Sequence, residues 1–345
     1  FPTRRSSDLM KLLPTLVPVL AALPFAALAA PATYDAELSG FTYPHPVEHF
    51  SFTSQGQPLQ MAYMDVKPAK PNGKTVMLMH GKNFCGATWE QTITTLSDAG
   101  YRVGVPDQIG FCKSSKPQHY QFSFQQLAAN THALLEKLDV QHLTVMGHSM
   151  GGMLSTRYAL MYPQQVEQLV LVNPIGLEDW KALGVPYQGI DAAYQGELKT
   201  NADSIRAYQR STYYAGQWKP EYDRWVNMLA GMYAGPDKQK VAWDQALTTD
   251  MVFTQPVVYE FPHLKMPTLL LIGGKDNTAI GKAQAPADLK PKLGRYEELG
   301  KRTAAAIPQA TLVEFPALGH SPQIQDPAAF HQALMGWLAA PHNGS

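Results

Sequence analysis

The sequence predicts an α/β protein in which a mostly parallel sheet is flanked by helices and a helical cap is inserted after the sixth strand. Three observations carry that expectation. Short, continuously apolar runs alternate with amphipathic segments, the pattern of strands buried on both faces and joined by helices. One such run, residues 143–146, leads through Gly147-His148-Ser149-Met150-Gly151 into a segment with Leu154, Tyr158 and Met161 at helical spacing. Finally, the alternation stops across residues 174–262, where helical patterns rich in Trp and Tyr replace buried strands, and it then resumes.

The first two segments of the chain lie outside the fold. Residues 1–9 resemble translated adapter read-through, which makes Met10 the expected start. Residues 10–29 read as a secretory signal, with Lys11 as its charge and Ala27-Leu28-Ala29 as its small-residue cleavage site. Pro14, Pro18 and Pro24 interrupt the apolar run, which is short for a membrane span, so cleavage near Ala29 and a periplasmic or secreted location are expected. An extended, Pro- and Ala-rich arm is expected over 30–46.

The core is expected over 45–173 and 263–340. Residues 47–53 and 59–66 alternate apolar and polar around Ser-Gln-Gly-Gln, which predicts an antiparallel hairpin. Buried strands follow at 75–79, 101–105, 143–146 and 168–172, with helices at 88–100, 123–138 and 153–162 between them. Beyond the cap come a strand at 268–272, a helix near 283–306, a strand at 311–315 and a closing helix at 327–338. Strands joined through helices run parallel by right-handed crossovers and gather ligands at their C-terminal ends.

With 345 residues the chain suffices for one large α/β domain with an insertion. Its 28 basic residues balance 28 acidic ones, which indicates neither a nucleic-acid footprint nor a trap for acidic substrates and points to a small-molecule partner. No metal-ligand cluster, phosphate loop or dinucleotide fingerprint is present, so no cofactor is expected. Cys85 and Cys112 each lie just past a strand end, and in an oxidising compartment such a pair is a candidate disulfide, the alternative being two free thiols.

The chemistry centres on Ser149. Gly147 and Gly151 bracket it because so sharp a strand-to-helix turn leaves no room for Cβ atoms two residues to either side. The turn aims a helix N-terminus at the serine, so the Met150 N–H can face a developing oxyanion. A serine hydroxyl is a weak nucleophile at its free pKa and needs a base, itself oriented by a carboxylate. His320, after the last strand and preceded by Gly319, is the expected base. Asp276, after the strand at 268–272, is the expected acid, with Glu178 or Asp179 as the substitute. His80 and His148 sit at turns and are expected to fix loops through hydrogen bonds, while His119, His331 and His342 are expected to be solvated. A second oxyanion donor is expected from the turn after 75–79, preferably the backbone N–H of Lys82 rather than Asn83, with the lysine ammonium in solvent.

These motifs, His80-Gly81-Lys82-Asn83, Pro106-Asp107-x-x-Gly110, Gly147-His148-Ser149-Met150-Gly151-Gly152, Gly273-x-x-Asp276 and Gly319-His320, resemble the α/β-hydrolase superfamily over residues 45–340. The resemblance implies an eight-stranded sheet, a Ser149–Asp276–His320 triad and a cap between strands six and seven. Cys112 departs from the pattern by standing where a second glycine is common; with Cys85 also near the rim of the site, this favours the bridge. The implied activity is hydrolysis through an acyl-enzyme, most simply of small to medium apolar carboxylic esters. A serine at the elbow argues against epoxide hydrolase or haloalkane dehalogenase chemistry, and the lack of an H-G-G-G run argues against that lipase-like branch. Proline iminopeptidase, lactonase and carbon–carbon hydrolase activities stay open. So do a cofactor-free perhydrolase or haloperoxidase and a non-catalytic binding protein.

Overall fold

The computed structural model describes residues 31–342. The segments read as adapter (1–9) and signal (10–29) lie outside the described residues. Eight strands form one sheet: β1 (Glu48–Ser54), β2 (Gln57–Val66), β3 (Thr75–Met79), β4 (Arg102–Pro106), β5 (Leu143–His148), β6 (Val166–Val172), β7 (Thr268–Gly273) and β8 (Ala310–Phe315). Their order is β1-β2-β4-β3-β5-β6-β7-β8. The β1–β2 hairpin is antiparallel and β2 pairs antiparallel with β4, whereas every pair from β4 to β8 is parallel. Chain direction along the sheet reverses at β3, with β4 on one side and β5 on the other, and such switch points open a crevice at the strands' carboxyl ends.

The parallel strands are apolar throughout because both their faces are covered. Along β6 and β7, Leu169, Leu171, Leu270 and Ile272 enter one core while Val170, Val172, Leu269 and Leu271 enter the other. Helices Phe124–Lys137, Met150–Met161 and Tyr296–Ala306 cover the first face, and Glu90–Asp98 and Pro327–Ala339 the second. Ser123 starts one of them as predicted, its hydroxyl accepting the Gln126 N–H at 2.9 Å.

Between β6 and β7 the chain is helical: Trp180–Leu183, Ile190–Glu197, Ala202–Tyr208, Asp223–Tyr233 and Lys238–Thr254. The aromatic residues that mark this stretch in the sequence mostly pack the cap itself. Tyr214 and Tyr222 stack at 3.6 Å, and Tyr194 meets Trp243 edge-on at 5.4 Å.

Three expectations need correction. The helix placed near 283–306 begins only at Tyr296, because Pro286, Pro291 and Gly294 break the earlier part into short 3₁₀ turns. The arm is not a free extended strand from residue 32 onward. Tyr34 N–H donates to Gly231 O at 2.9 Å, Ala36 N–H to Asp237 Oδ2 at 3.0 Å, and Leu38 is fully buried. His331 is buried rather than solvated: it follows Phe330 on the apolar face of its helix and meets Thr92 Oγ1 at 2.8 Å.

Candidate active site

Ser149 sits between β5 and helix Met150–Met161 with φ 59° and ψ −123°, a conformation an L-residue holds only when its surroundings dictate it. Those surroundings are tight. A Cβ at Gly147 would come within 2.0 Å of Gly151 O, and one at Gly151 within 2.2 Å of Met79 O. Both glycines are required by the close approach of backbone, as the sequence indicates.

The strand ends bring the other predicted residues to this crevice. His320 Nδ1 lies 2.6 Å from Asp276 Oδ2, and both residues are buried. Asp276 is saturated with donors: Asn173 Nδ2 at 2.9 Å on Oδ2, and the Thr278 N–H and hydroxyl at 2.9 and 2.7 Å on Oδ1. Four donors fix the direction of the carboxylate, and its contact with Nδ1 leaves His320 Nε2 free for proton transfer. No hydrogen bond from Ser149 Oγ to His320 is formed among the described residues; such contacts tighten on substrate binding. The alternative acids are otherwise engaged. Glu178 Oε1 accepts the Gly294 N–H at 2.8 Å, and Asp179 caps a helix and pairs with Lys181 Nζ at 2.7 Å.

Asn173 is the residue that sequence reasoning missed. It follows β6 with φ 36°, and its Oδ1 accepts the Gly273 N–H at 2.8 Å while its amide reaches Asp276. The available signal was an Asn-Pro pair directly after a buried strand, at the sheet edge where the serine and aspartate also emerge.

The turn after β3 abuts the elbow. A Cβ at Gly81 would lie 2.8 Å from Ser149 Cβ, so the next amide, Lys82 N–H, borders the serine. It has no hydrogen-bond acceptor among the described residues, and the Met150 amide heads a helix, where amides lack intrahelical acceptors. Two free N–H groups beside one serine suit an oxyanion. The Lys82 ammonium, expected in solvent, is instead covered by the cap: Nζ donates to Gln245 Oε1 at 2.8 Å and lies 3.6 Å from Glu197 Oε1. Burial pushes its pKa below the usual lysine range, and the Glu197 carboxylate opposes the shift.

His80 and His148 act as loop braces, as predicted. His80 Nε2 accepts the Gln108 N–H at 2.9 Å, which leaves Nδ1–H to donate to Gly81 O at 2.8 Å. His148 Nε2–H donates to the His320 carbonyl at 2.7 Å. Burial, reinforced by neighbouring His320, holds the His148 pKa well below the usual histidine range, so it stays neutral. Cys85 and Cys112 form a disulfide, with Cα atoms 5.8 Å apart, because β3 and β4 are neighbours and their following loops leave the sheet side by side.

A cavity of ≈ 240 Å³ lies between the cap helices and the β3 turn. Asn83 of the β3 turn and Tyr213 of the cap line it, and the Tyr213 ring stacks on His320 with centroids 5.2 Å apart.

Comparison with known proteins places this geometry. Residues 74–327 match the model of the alpha/beta hydrolase fold family. The chain belongs to the α/β-hydrolase family. A crystal structure of a "probable hydrolytic enzyme" from Pseudomonas aeruginosa PAO1 is similar at 67% identity and TM-score 0.89, over 90% of this chain and 99% of that one. Lipase 1 of Psychrobacter immobilis is 27% identical over 260 residues, 73% of either chain. Lipase 3 of Moraxella sp. strain TA144 is 28% identical over 263 residues, again 73% of either chain. This α/β hydrolase therefore has the sheet, the crossover pattern and the inserted helices that its sequence implies.

Proposed function

We propose that the protein is a serine hydrolase that cleaves small to medium carboxylic esters through an acyl-enzyme on Ser149. The observation that carries this reading is the convergence of four strand ends: Ser149 after β5, the Lys82 turn after β3, Asp276 after β7 and His320 after β8. In the first half-reaction His320 Nε2 takes the Ser149 proton as Oγ attacks the ester carbonyl. The Lys82 and Met150 N–H groups receive the developing oxyanion, and Asp276 stabilises the imidazolium through Nδ1–H. His320 then gives the proton to the departing alcohol. In the second half-reaction it activates water against the acyl-enzyme, and the acid is released.

A cavity of ≈ 240 Å³, just below the usual range for ligand sites, supports the smaller members of that substrate class. The same reading places the protein in the periplasm or outside the cell, supported by the leader sequence at 10–29 and by a disulfide of the kind that persists in oxidising compartments. The test is hydrolysis of p-nitrophenyl esters of increasing acyl length. Ser149→Ala should lower kcat on the order of 10⁴-fold or more. Turnover that survives in that variant would refute the assignment.

A further inference from the structure

We propose that the cavity beside His320 is a polar subsite that takes a neutral hydrogen-bond donor of the substrate, a hydroxyl or an amide N–H, with Gln209 and Glu197 as specificity-determining residues. The inference rests on the ester-hydrolase reading and names its substrate class. The cap's aromatic residues suggest an apolar pocket in the sequence, but most of them are spent on packing the cap. The cavity walls carry polar groups among apolar ones: Asn83, Glu197, Ser204, Gln209, Tyr213 and Tyr233 line it, with Ile205 and Leu229 as the large aliphatic side chains among the lining residues.

Gln209 supplies the deciding observation. It is 2% exposed, it lines the cavity, and its Oε1 has no hydrogen-bond partner. A buried acceptor left unmet costs stability, so one retained in a cavity wall marks a place where a ligand completes the bond. Gln209 also opens a π-helical turn, Gln209–Tyr213, that continues helix Ala202–Tyr208; turns of this kind are frequent at functional sites. The turn is fastened to the catalytic loop, since the His320 N–H donates to Thr212 O at 3.1 Å and the Ser321 N–H to Tyr213 O at 3.3 Å. The position of Gln209 is thereby set relative to the reacting atoms.

Glu197 determines the charge the subsite accepts. Its Oε2 accepts the Tyr233 hydroxyl at 2.5 Å and its Oε1 lies 3.6 Å from Lys82 Nζ. The carboxylate is already compensated by the lysine, so the pair presents little net charge and neither a cationic nor an anionic substrate gains much from it. A neutral donor bonds to both the Gln209 and Glu197 oxygens at no cost in charge.

The experiment uses p-nitrophenyl esters of short acyl chains carrying a methyl, a hydroxyl or a formamido group at the third, fourth or fifth carbon. For wild type, kcat/KM for at least one hydroxyl or formamido ester should exceed that of its methyl counterpart about tenfold or more. Gln209→Leu should bring that ratio towards one, and Glu197→Gln should lower it if the first variant fails to fold. Wild-type ratios at or below one throughout, or ratios unmoved in both variants, would overturn the subsite while leaving the ester-hydrolase reading intact. Failure of the folded wild type to turn over any of the esters would overturn that reading instead, so the two failures are distinguishable.

Discussion

Reducing the bridge between Cys85 and Cys112 frees a loop with a sequence separation of 27 residues in the unfolded chain. On the loop-entropy relation, a loop of that length corresponds to about 3.5 kcal/mol of stability at 25 °C. For a domain of roughly 300 ordered residues, whose unfolding entropy is about 0.65 kcal/mol/K, the corresponding fall in Tm is about 5 °C. Both cysteines are buried, so a reductant should act slowly on the native protein and fully only after unfolding and refolding in its presence. The assay is a pair of thermal scans, oxidised and reduced, with thiol titration confirming zero and two free thiols. Coincident midpoints despite two titrated thiols would refute the reasoning. The effect should reach the active site as well, because Cys85 lies three residues beyond Lys82, whose N–H borders Ser149. Activity should therefore fade before global unfolding in the reduced protein and together with it in the oxidised one.

Further outcomes follow from the hydrogen bonds around the triad. Asn173→Leu removes one charge-assisted donor from Asp276 and should lower kcat by about 10- to 100-fold with little change in KM, read from steady-state kinetics; an unchanged kcat would show that Thr278 alone orients the carboxylate. His320→Ala should cost on the order of 10⁴-fold, whereas His148→Ala, which removes only the brace on the His320 carbonyl, should cost less than about 100-fold; the reverse ranking would reassign the base. Asp244 is fully buried and neither of its carboxylate oxygens has a partner, so burial pushes its pKa up to about 8 from 3.8. A carboxyl whose folded pKa is raised contributes stability that is complete below the unfolded value and lost as pH rises through the folded one. Stability should therefore decline between about pH 4 and pH 8, and Asp244→Asn should flatten that decline in urea titrations across the range. An identical pH profile in the variant would assign the slope to other groups.

The parts of this account that were legible in the sequence are those that local rules determine. Uninterrupted apolar runs identify strands buried on both faces, and Gly147 and Gly151 identify the elbow because only backbone-on-backbone contact is possible there. Chain order then supplied Asp276 and His320, which the fold brings to 2.6 Å. The misses are all tertiary. Whether the Lys82 ammonium reaches water depends on Gln245 and Glu197, more than a hundred residues away on cap helices. Asn173 was passed over because nothing local shows that its amide meets a carboxylate from the next strand over. His331 was judged by its helical setting rather than by its place beside Phe330 on a buried helix face.

The central claim, a nucleophilic Ser149 served by His320, is tested most directly by covalent labelling. The full chain is treated with an alkyl fluorophosphonate, and the modified residue is located by peptide mass spectrometry. One adduct per chain is expected, on Ser149, absent from Ser149→Ala and formed on the order of 10³-fold or more slowly in His320→Ala. An adduct on another residue, or labelling of Ser149 at the same rate without His320, would contradict the claim.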